Sequence, residues 1–249
     1  MTTFFVELKK ARRRHDILLC LLVPVITALW VGGVSPASPD ELAQGYSELL
    51  YSMPVINALI LPVMMAVLPA RLWDMETKGA TPKLLYTLQS RRSLFAGKAL
   101  FGAGEVVLLT ALQAASVAVL GKVHGYTEAL PAAQLGYLAL CTLTVELTLF
   151  FGEFLIVLRT GSPLAALCVG IVGALLGLFT AFMPPVFAYF VPWGYFIPLS
   201  AYEVAHWDEA SHTVTYGTRP WSFGMLAFTA ALGVVLFALS WRSVQKEEV

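Results

Sequence analysis

The sequence has few charged residues for its length. Asp, Glu, Lys and Arg make up only 13% of its 249 residues, against roughly 25% in soluble domains. Hydrophobic residues make up 58%, and the mean hydropathy is +0.74. One water-soluble core cannot bury so many apolar side chains, so the composition excludes a soluble globular protein and indicates a helical membrane protein. The formal net charge is zero, which gives no reason to expect a nucleic-acid partner.

The sequence also lacks the usual motifs of catalysis and metal binding. Cys20, Cys141 and Cys168 lie far apart in apolar runs, which excludes a disulfide framework and a thiolate metal site. No HExxH, GxSxG or CxxC motif is present, and no P-loop. We therefore expect no catalytic site, no metal and no cofactor in this chain. Any ATP that drives it must be bound by another subunit.

Six apolar runs are present, and each is near the twenty residues that span a bilayer. They cover approximately residues 17–34, 52–72, 94–120, 135–158, 164–183 and 222–241. The second run contains Pro54, Pro62 and Pro69, which predict a kinked or broken helix. Residues 184–221 are rich in aromatics and prolines, which favours an extracellular or re-entrant segment over a seventh span. The sequence thus predicts a single all-α, polytopic transmembrane domain over residues 1–249.

The basic residues predict the orientation of these spans. With six spans, all of them except Lys122 and Arg219 fall in segments on one side of the membrane. Lys and Arg near the ends of spans stay in the cytoplasm. The pattern therefore places both termini in the cytoplasm.

Residues 1–16 have the pattern of an amphipathic helix. Phe4, Leu8 and Ala11 share one helical face, and basic side chains crowd the other. Such a helix lies on the inner leaflet, with its basic groups at anionic lipid. A solvated basic tail is the alternative.

The loop from Arg71 to Lys98 is polar and basic and lies between two spans. Leu84, Leu85 and Leu88 repeat at helical spacing, and Thr81 and Pro82 suit the start of a short helix. A short amphipathic helix here can contact either the membrane surface or a partner protein.

Two features inside the spans stand out. Glu105, Glu146 and Glu153 are intramembrane carboxylates, which suggest a proton or ion site or a membrane-embedded enzyme. The alternative is a structural network, with Glu105 and Glu153 at one depth near Arg159. Gly170, Gly173 and Gly177 form a stripe of small residues that lets helices pack closely, either within one subunit or between two.

The exterior segments hold most of the acidic residues outside the spans. They are Asp40, Glu41, Glu48, Glu128, Glu203, Asp208 and Glu209. With the neighbouring aromatics they would attract cationic amphipathic peptides. The alternative is that they follow only from the positive-inside bias.

The stretch WDMETKGATPKLLYTLQSRRSLFAGK resembles the second cytoplasmic stretch of ABC-2 type transporter permeases, whose pattern is E-x-x-x-G-T-x-x-L-L-x-x-P-x-x-R followed by Lys. The matching positions are Glu76, Gly79, Leu84, Leu85, Ser90, Arg91 and Lys98. Ala80-Thr81 and Gln89 depart from the pattern. The basic amino-terminal helix, the six spans and the long loop before the last span are also similar, and the small size and the opening ELKKARRRHD resemble lantibiotic-protection exporters.

The resemblance implies a permease of an ATP-driven exporter in the plasma membrane, working as a homodimer or with a second, similar permease. ATP and Mg²⁺ would be bound by a separate cytoplasmic ATPase. Residues 1–16 would be the elbow helix and residues 71–98 the coupling loop, with Glu76, Gly79, Lys83, Leu84, Leu85 and Arg91 at the ATPase. The cargo would be an amphipathic peptide antibiotic or another hydrophobic compound. A proton- or ion-coupled carrier and a membrane-embedded enzyme, both using the intramembrane glutamates, stay open.

Overall fold

The structure is a computed structural model, and it describes residues 7–11, 15–31, 33, 38–78, 90–208 and 213–246. Residues 7–11 are helical. The helices and strands that follow are α1 (Asp16–Val31), α2 (Pro39–Ala43), α3 (Gly45–Lys78), α4 (Arg91–His124), α5 (Ala132–Thr160), α6 (Pro163–Phe179), α7 (Pro185–Ala188), β1 (Tyr202–Asp208), β2 (Thr213–Thr218) and α8 (Phe223–Lys246). Two short 3₁₀ turns lie at Thr180–Phe182 and Pro192–Gly194.

Five of these helices, α3 to α6 and α8, are long and apolar enough to cross a membrane, and α1 is a shorter apolar helix. The prediction of an all-α polytopic membrane protein is confirmed. At 1.5 Å per residue, α3 and α4 are each about 51 Å long, since each has 34 residues. That exceeds the roughly 30 Å of hydrocarbon, so their ends extend beyond it. The side on which the termini lie stays a prediction.

Helix α3 runs without interruption through Pro54, Pro62 and Pro69. Of the two predicted alternatives, the structure excludes the broken helix; a kink in this span stays a prediction. Prolines are tolerated in a transmembrane helix when neighbouring helices hold it in place. Here Leu61 and Met65 on α3 are fully buried, so packing replaces what the missing hydrogen bonds would have contributed.

The small residues of α6 face the inside of this chain. A Cβ on Gly170 would lie 2.6 Å from the Cβ of Ala66 on α3, and Cβ atoms on Gly173 and Gly177 would collide with Trp193. Ala166 and Ala174 of the same stripe are buried as well. Of the two interpretations of the stripe, the structure shows the one in which it packs within a subunit.

A small antiparallel hairpin lies at the end of the bundle where α3 begins. Strands β1 and β2 pair with Tyr202 opposite Thr218 and Val204 opposite Tyr216, and a bulge follows Val204. The Tyr216 backbone N–H donates to Gln44 Oε1 at 3.1 Å, which ties the hairpin to the start of α3. The sequence did not predict these strands, because the bulge shifts the alternation of apolar and polar residues in β1. The hairpin also rules out a seventh span here.

Candidate functional site

A cluster of charged side chains lies where the amino-terminal segment meets α3 and α4, and we call it the basal ion cluster. At its centre, Lys98 is fully buried. Its Nζ donates to the Leu72 carbonyl of α3 at 2.7 Å and lies 3.4 Å from Glu7 Oε1. Glu7 is buried too, and Lys10 Nζ reaches the same oxygen at 3.1 Å. Opposite charges at this spacing compensate one another for the loss of water.

A second ion pair of the basal ion cluster joins α1 to α3. Asp16 is buried at the first turn of α1, and its Oδ1 lies 3.4 Å from Arg71 Nε. The carboxylate also lies at the positive end of the helix dipole, which stabilises it further. The two pairs fix the amino-terminal segment and α1 to the ends of the helices that flank residues 79–89.

The predicted coupling residues fall on this same stretch of chain. Gly79, Lys83, Leu84 and Leu85 lie outside the described residues. Glu76 is in the last turn of α3 and Arg91 is the first residue of α4, and the structure does not describe either side chain. Their role at an ATPase stays a prediction. Lys98, which also matches the family pattern, is in the centre of the basal ion cluster.

Glu146 lies in a polar layer in the middle of the bundle. It is fully buried on α5, and the Thr110 hydroxyl of α4 donates to its Oε2. Asn57 and Gln113 exchange hydrogen bonds beside it, with Gln113 Nε2 3.0 Å from Asn57 Oδ1. A small cavity separates this amide pair from Thr110. Asn57 is the only asparagine of the chain and lies in an apolar run. That isolated amide is the feature of the sequence from which this polar layer could have been predicted.

Glu153 has a partner that the sequence did not predict. Trp193, in the segment between α6 and α8, donates its indole N–H to Glu153 Oε1 at 3.2 Å. The predicted network placed Glu153 near Arg159, but Arg159 is exposed at the end of α5. Since the Trp193 ring also covers Gly173 and the Trp193 backbone lies against Gly177, the segment folds back into the bundle. Glu105 is buried on α4, where its carbonyl accepts from Cys20 Sγ of α1 at 3.9 Å.

The acidic residues that the sequence places on the exterior side differ in their environment. Glu128 is bound at the start of α3, where it accepts from the Ser47 backbone N–H at 3.0 Å and from the Ser47 hydroxyl at 2.6 Å. Asp40, Glu41 and Glu203 are exposed. Burial and the negative charge of Glu48 raise the pKa of Tyr216 to about 12, so its phenol adds no charge there.

In the described ranges, no group of three or more His, Cys, Asp or Glu side chains could hold a metal ion. The family model described as ABC-2 family transporter protein matches residues 3–183. That range contains the basal ion cluster, residues 71–98, the shorter apolar helix α1 and four of the five long apolar helices. The chain belongs to the ABC-2 transporter family.

The family assignment makes this chain a membrane permease of an ABC transporter, the membrane component of a system whose ATP-hydrolysing unit is generally a partner protein. The match stops before the hairpin and α8. No curated protein matches the chain.

Proposed function

We propose that this chain is the permease subunit of an ATP-driven exporter in the plasma membrane. It binds a separate cytoplasmic ATPase, which holds the ATP and Mg²⁺, and it pairs with a second permease subunit, either a copy of itself or a similar chain. The observation that carries the proposal is the family match over residues 3–183.

The basal ion cluster supports this role for the coupling loop. A force on residues 79–89 passes into α3 through Lys78 and into α4 through Arg91, because these are the helix ends that flank the loop. Lys98 bonds to Leu72 and Glu7, so α3, α4 and the amino-terminal segment move together at this end. Closely packed helices with buried charge pairs resist separate motion. The loop is therefore joined to a rigid base that can transmit movement of an ATPase.

Leu85→Asp tests the coupling. A charge on the apolar face of the helix predicted in the loop should abolish ATPase binding and transport, while the permease still inserts and purifies. Ser243→Asp, which adds the same charge near the end of α8, is the matched control and should bind the ATPase normally. Normal co-purification of the ATPase with Leu85→Asp would show that the loop helix is not the docking surface.

Cationic amphipathic peptides are the cargo class that the exterior end suits best. Asp40, Glu41 and Glu203 are exposed there, and Trp207 and Phe190 present 62% and 77% of their surface. Exposed acids steer a cationic peptide, and exposed aromatics then contact its apolar face.

A sensitivity assay tests the cargo in cells that express the permease with its ATPase. Joint neutralisation by Asp40→Asn, Glu41→Gln and Glu203→Gln should weaken protection against cationic peptide antibiotics, more at low salt than at high salt. Glu247→Gln with Glu248→Gln, at the other end of the chain, should leave protection unchanged. If an assembled, ATP-hydrolysing complex protects against no such peptide, the cargo is of another class.

A further inference from the structure

A groove runs along the outer surface of the bundle between α5 and α8, and we call it the α5/α8 groove. Its upper part has a volume of about 330 Å³, and it is lined by Leu147, Phe151, Gly233, Val234 and Phe237 among others. Gly233 lets α8 pack directly on α5 here, since a Cβ would lie 2.7 Å from Thr148 Oγ1. Its walls are apolar, as a site for a hydrocarbon chain requires.

The groove continues towards the end of α8 and becomes polar there. Its lower part, of about 300 Å³, is lined by α8 alone; it shares Val234 and Phe237 with the upper part and ends at Trp241 and Arg242. Ala230, in the upper part, precedes Arg242 by twelve residues, which is about 18 Å along the helix. One leaflet contributes about 15 Å of hydrocarbon, so the groove matches the depth of a single leaflet.

A second arginine, Arg159 of α5, lies at the same depth as Arg242. Helices α5 and α8 run side by side in the same direction, with a Cβ on Gly152 3.5 Å from Leu236 and Ser240 Oγ donating to Phe151 O at 3.2 Å. Arg159 follows Gly152 by seven residues, and Ser243 follows Leu236 by seven. Arg159 therefore lies level with Ser243, which is next to Arg242 in the chain. Arg159 follows Thr148 by eleven residues, close to three helical turns, so it lies on the groove's side of α5. Both arginines are exposed.

We propose that the α5/α8 groove binds an anionic phospholipid of the cytoplasmic leaflet, with an acyl chain along Val234 and Phe237 and the phosphate between Arg159 and Arg242. Basic pockets between transmembrane helices on the cytoplasmic side are suited to anionic head groups, and Trp241 lies at the depth where the interface favours tryptophan. Helix α8 contains no acidic residue to oppose the anion.

A second copy of the chain is a poorer occupant of the groove. In a symmetric dimer whose axis is normal to the membrane, each residue lies at the same depth as its copy. Pairing through this groove would bring Arg159 and Arg242 of one subunit to the level of the same arginines of the other, and like charges would face each other. A lipid phosphate removes that repulsion.

Spin-labelled lipids in proteoliposomes test the site, with the motionally restricted fraction of labelled phosphatidylglycerol compared with that of phosphatidylcholine. The wild-type protein should prefer phosphatidylglycerol. Arg159→Gln and Arg242→Gln should each reduce that preference about fivefold, and the double variant should lose most of it. Lys122→Gln, which also removes one positive charge but at the opposite end of the bundle, should keep it. An unchanged preference in the double variant overturns the proposal.

The apolar part of the site has its own test. Val234→Phe fills the groove and should remove one tightly held phosphatidylglycerol per chain, whereas Leu175→Phe, at another exposed position on α6, should not. Equal lipid binding in the two variants overturns the proposal. So does efficient disulfide formation between two copies of Val234→Cys in a chain without its native cysteines, because a second copy would then occupy the groove.

Discussion

Lys98 is the residue at which the amino-terminal segment, α3 and α4 meet, and its replacement should destabilise this end of the bundle. Lys98→Met removes the donor to the Leu72 carbonyl and the cation beside Glu7. Breaking one partner of a buried ion pair costs about 3–5 kcal/mol. Thermal unfolding in detergent should therefore shift to a clearly lower temperature, whereas the exposed Lys122→Met should unfold like the wild type.

A second substitution shows whether the charge is the cause. Glu7→Gln combined with Lys98→Met leaves no uncompensated carboxylate and should recover part of the lost stability. If Lys98→Met unfolds at the wild-type temperature, or if the double variant is as unstable as the sum of the two single variants, the basal ion cluster does not stabilise this end of the protein.

The contact between Glu146 and Thr110 allows a prediction about hydrogen bonding, because the Thr110 hydroxyl has only one hydrogen to donate. Thr110 Oγ1 lies 3.0 Å from the Val106 carbonyl as well as beside Glu146 Oε2. A side chain at position 146 that can itself donate to Thr110 would satisfy both contacts, and an amide can do so. Glu146→Gln should therefore keep the fold and most transport activity. Thr110→Val leaves Glu146 without this bond and should cost about 1–3 kcal/mol of stability.

Glutamine substitution of the buried glutamates also distinguishes an ATP-driven permease from a proton-coupled carrier. In an ATP-driven permease with structural carboxylates, Glu105→Gln, Glu146→Gln and Glu153→Gln should each support transport together with the ATPase. Loss of transport and of its response to a pH gradient in a stably folded variant would favour the proton-coupled carrier. The assay is transport in proteoliposomes with and without an imposed pH gradient.

At the scale of elements, the contact between α6 and the segment around Trp193 allows a sharp test. Gly173→Ala places a Cβ 2.4 Å from the Trp193 ring and should destabilise by about 1–3 kcal/mol, as overpacking does. Gly104→Ala is the control, since nothing lies within 4 Å of a Cβ there, and it should be neutral or slightly stabilising. Adding Trp193→Ala to Gly173→Ala should give a loss smaller than the sum of the two single changes. Strict additivity of thermal shifts would show that the two side chains do not meet.

Prediction of the helices from the sequence succeeded where the chain has long apolar runs. The apolar runs located α1, α3 to α6 and α8, because twenty apolar residues in succession have few alternatives. At α3 it left two alternatives open, and the uninterrupted helix, in which Leu61 and Met65 are fully buried, excludes the one in which Pro54, Pro62 and Pro69 break the span. It also missed the hairpin, whose bulge hides the alternation in β1.

The candidate site was only partly predictable, for a physical reason. The sequence marks a buried ionisable residue such as Glu153, because such residues are rare in spans. It does not give the partner, because Trp193 lies forty residues further along the chain and reaches Glu153 only after the segment folds back. Likewise the loop charges predicted Lys98 as a cytoplasmic residue, but its burial depends on Glu7 and Leu72, which no local pattern connects to it.

At the scale of the whole molecule, the orientation in the membrane rests on the distribution of basic residues and can be measured directly. Single cysteines at Ser90 and Thr215 occupy exposed positions at opposite ends of the described bundle. In whole cells, on a background without Cys20, Cys141 and Cys168, an impermeant thiol reagent should label Thr215→Cys and leave Ser90→Cys unlabelled. Permeabilisation should make Ser90→Cys reactive, which controls for burial of the thiol. Labelling of Ser90→Cys in intact cells would place the coupling loop outside and remove the ATPase-driven function, since no cytoplasmic ATPase could reach the loop.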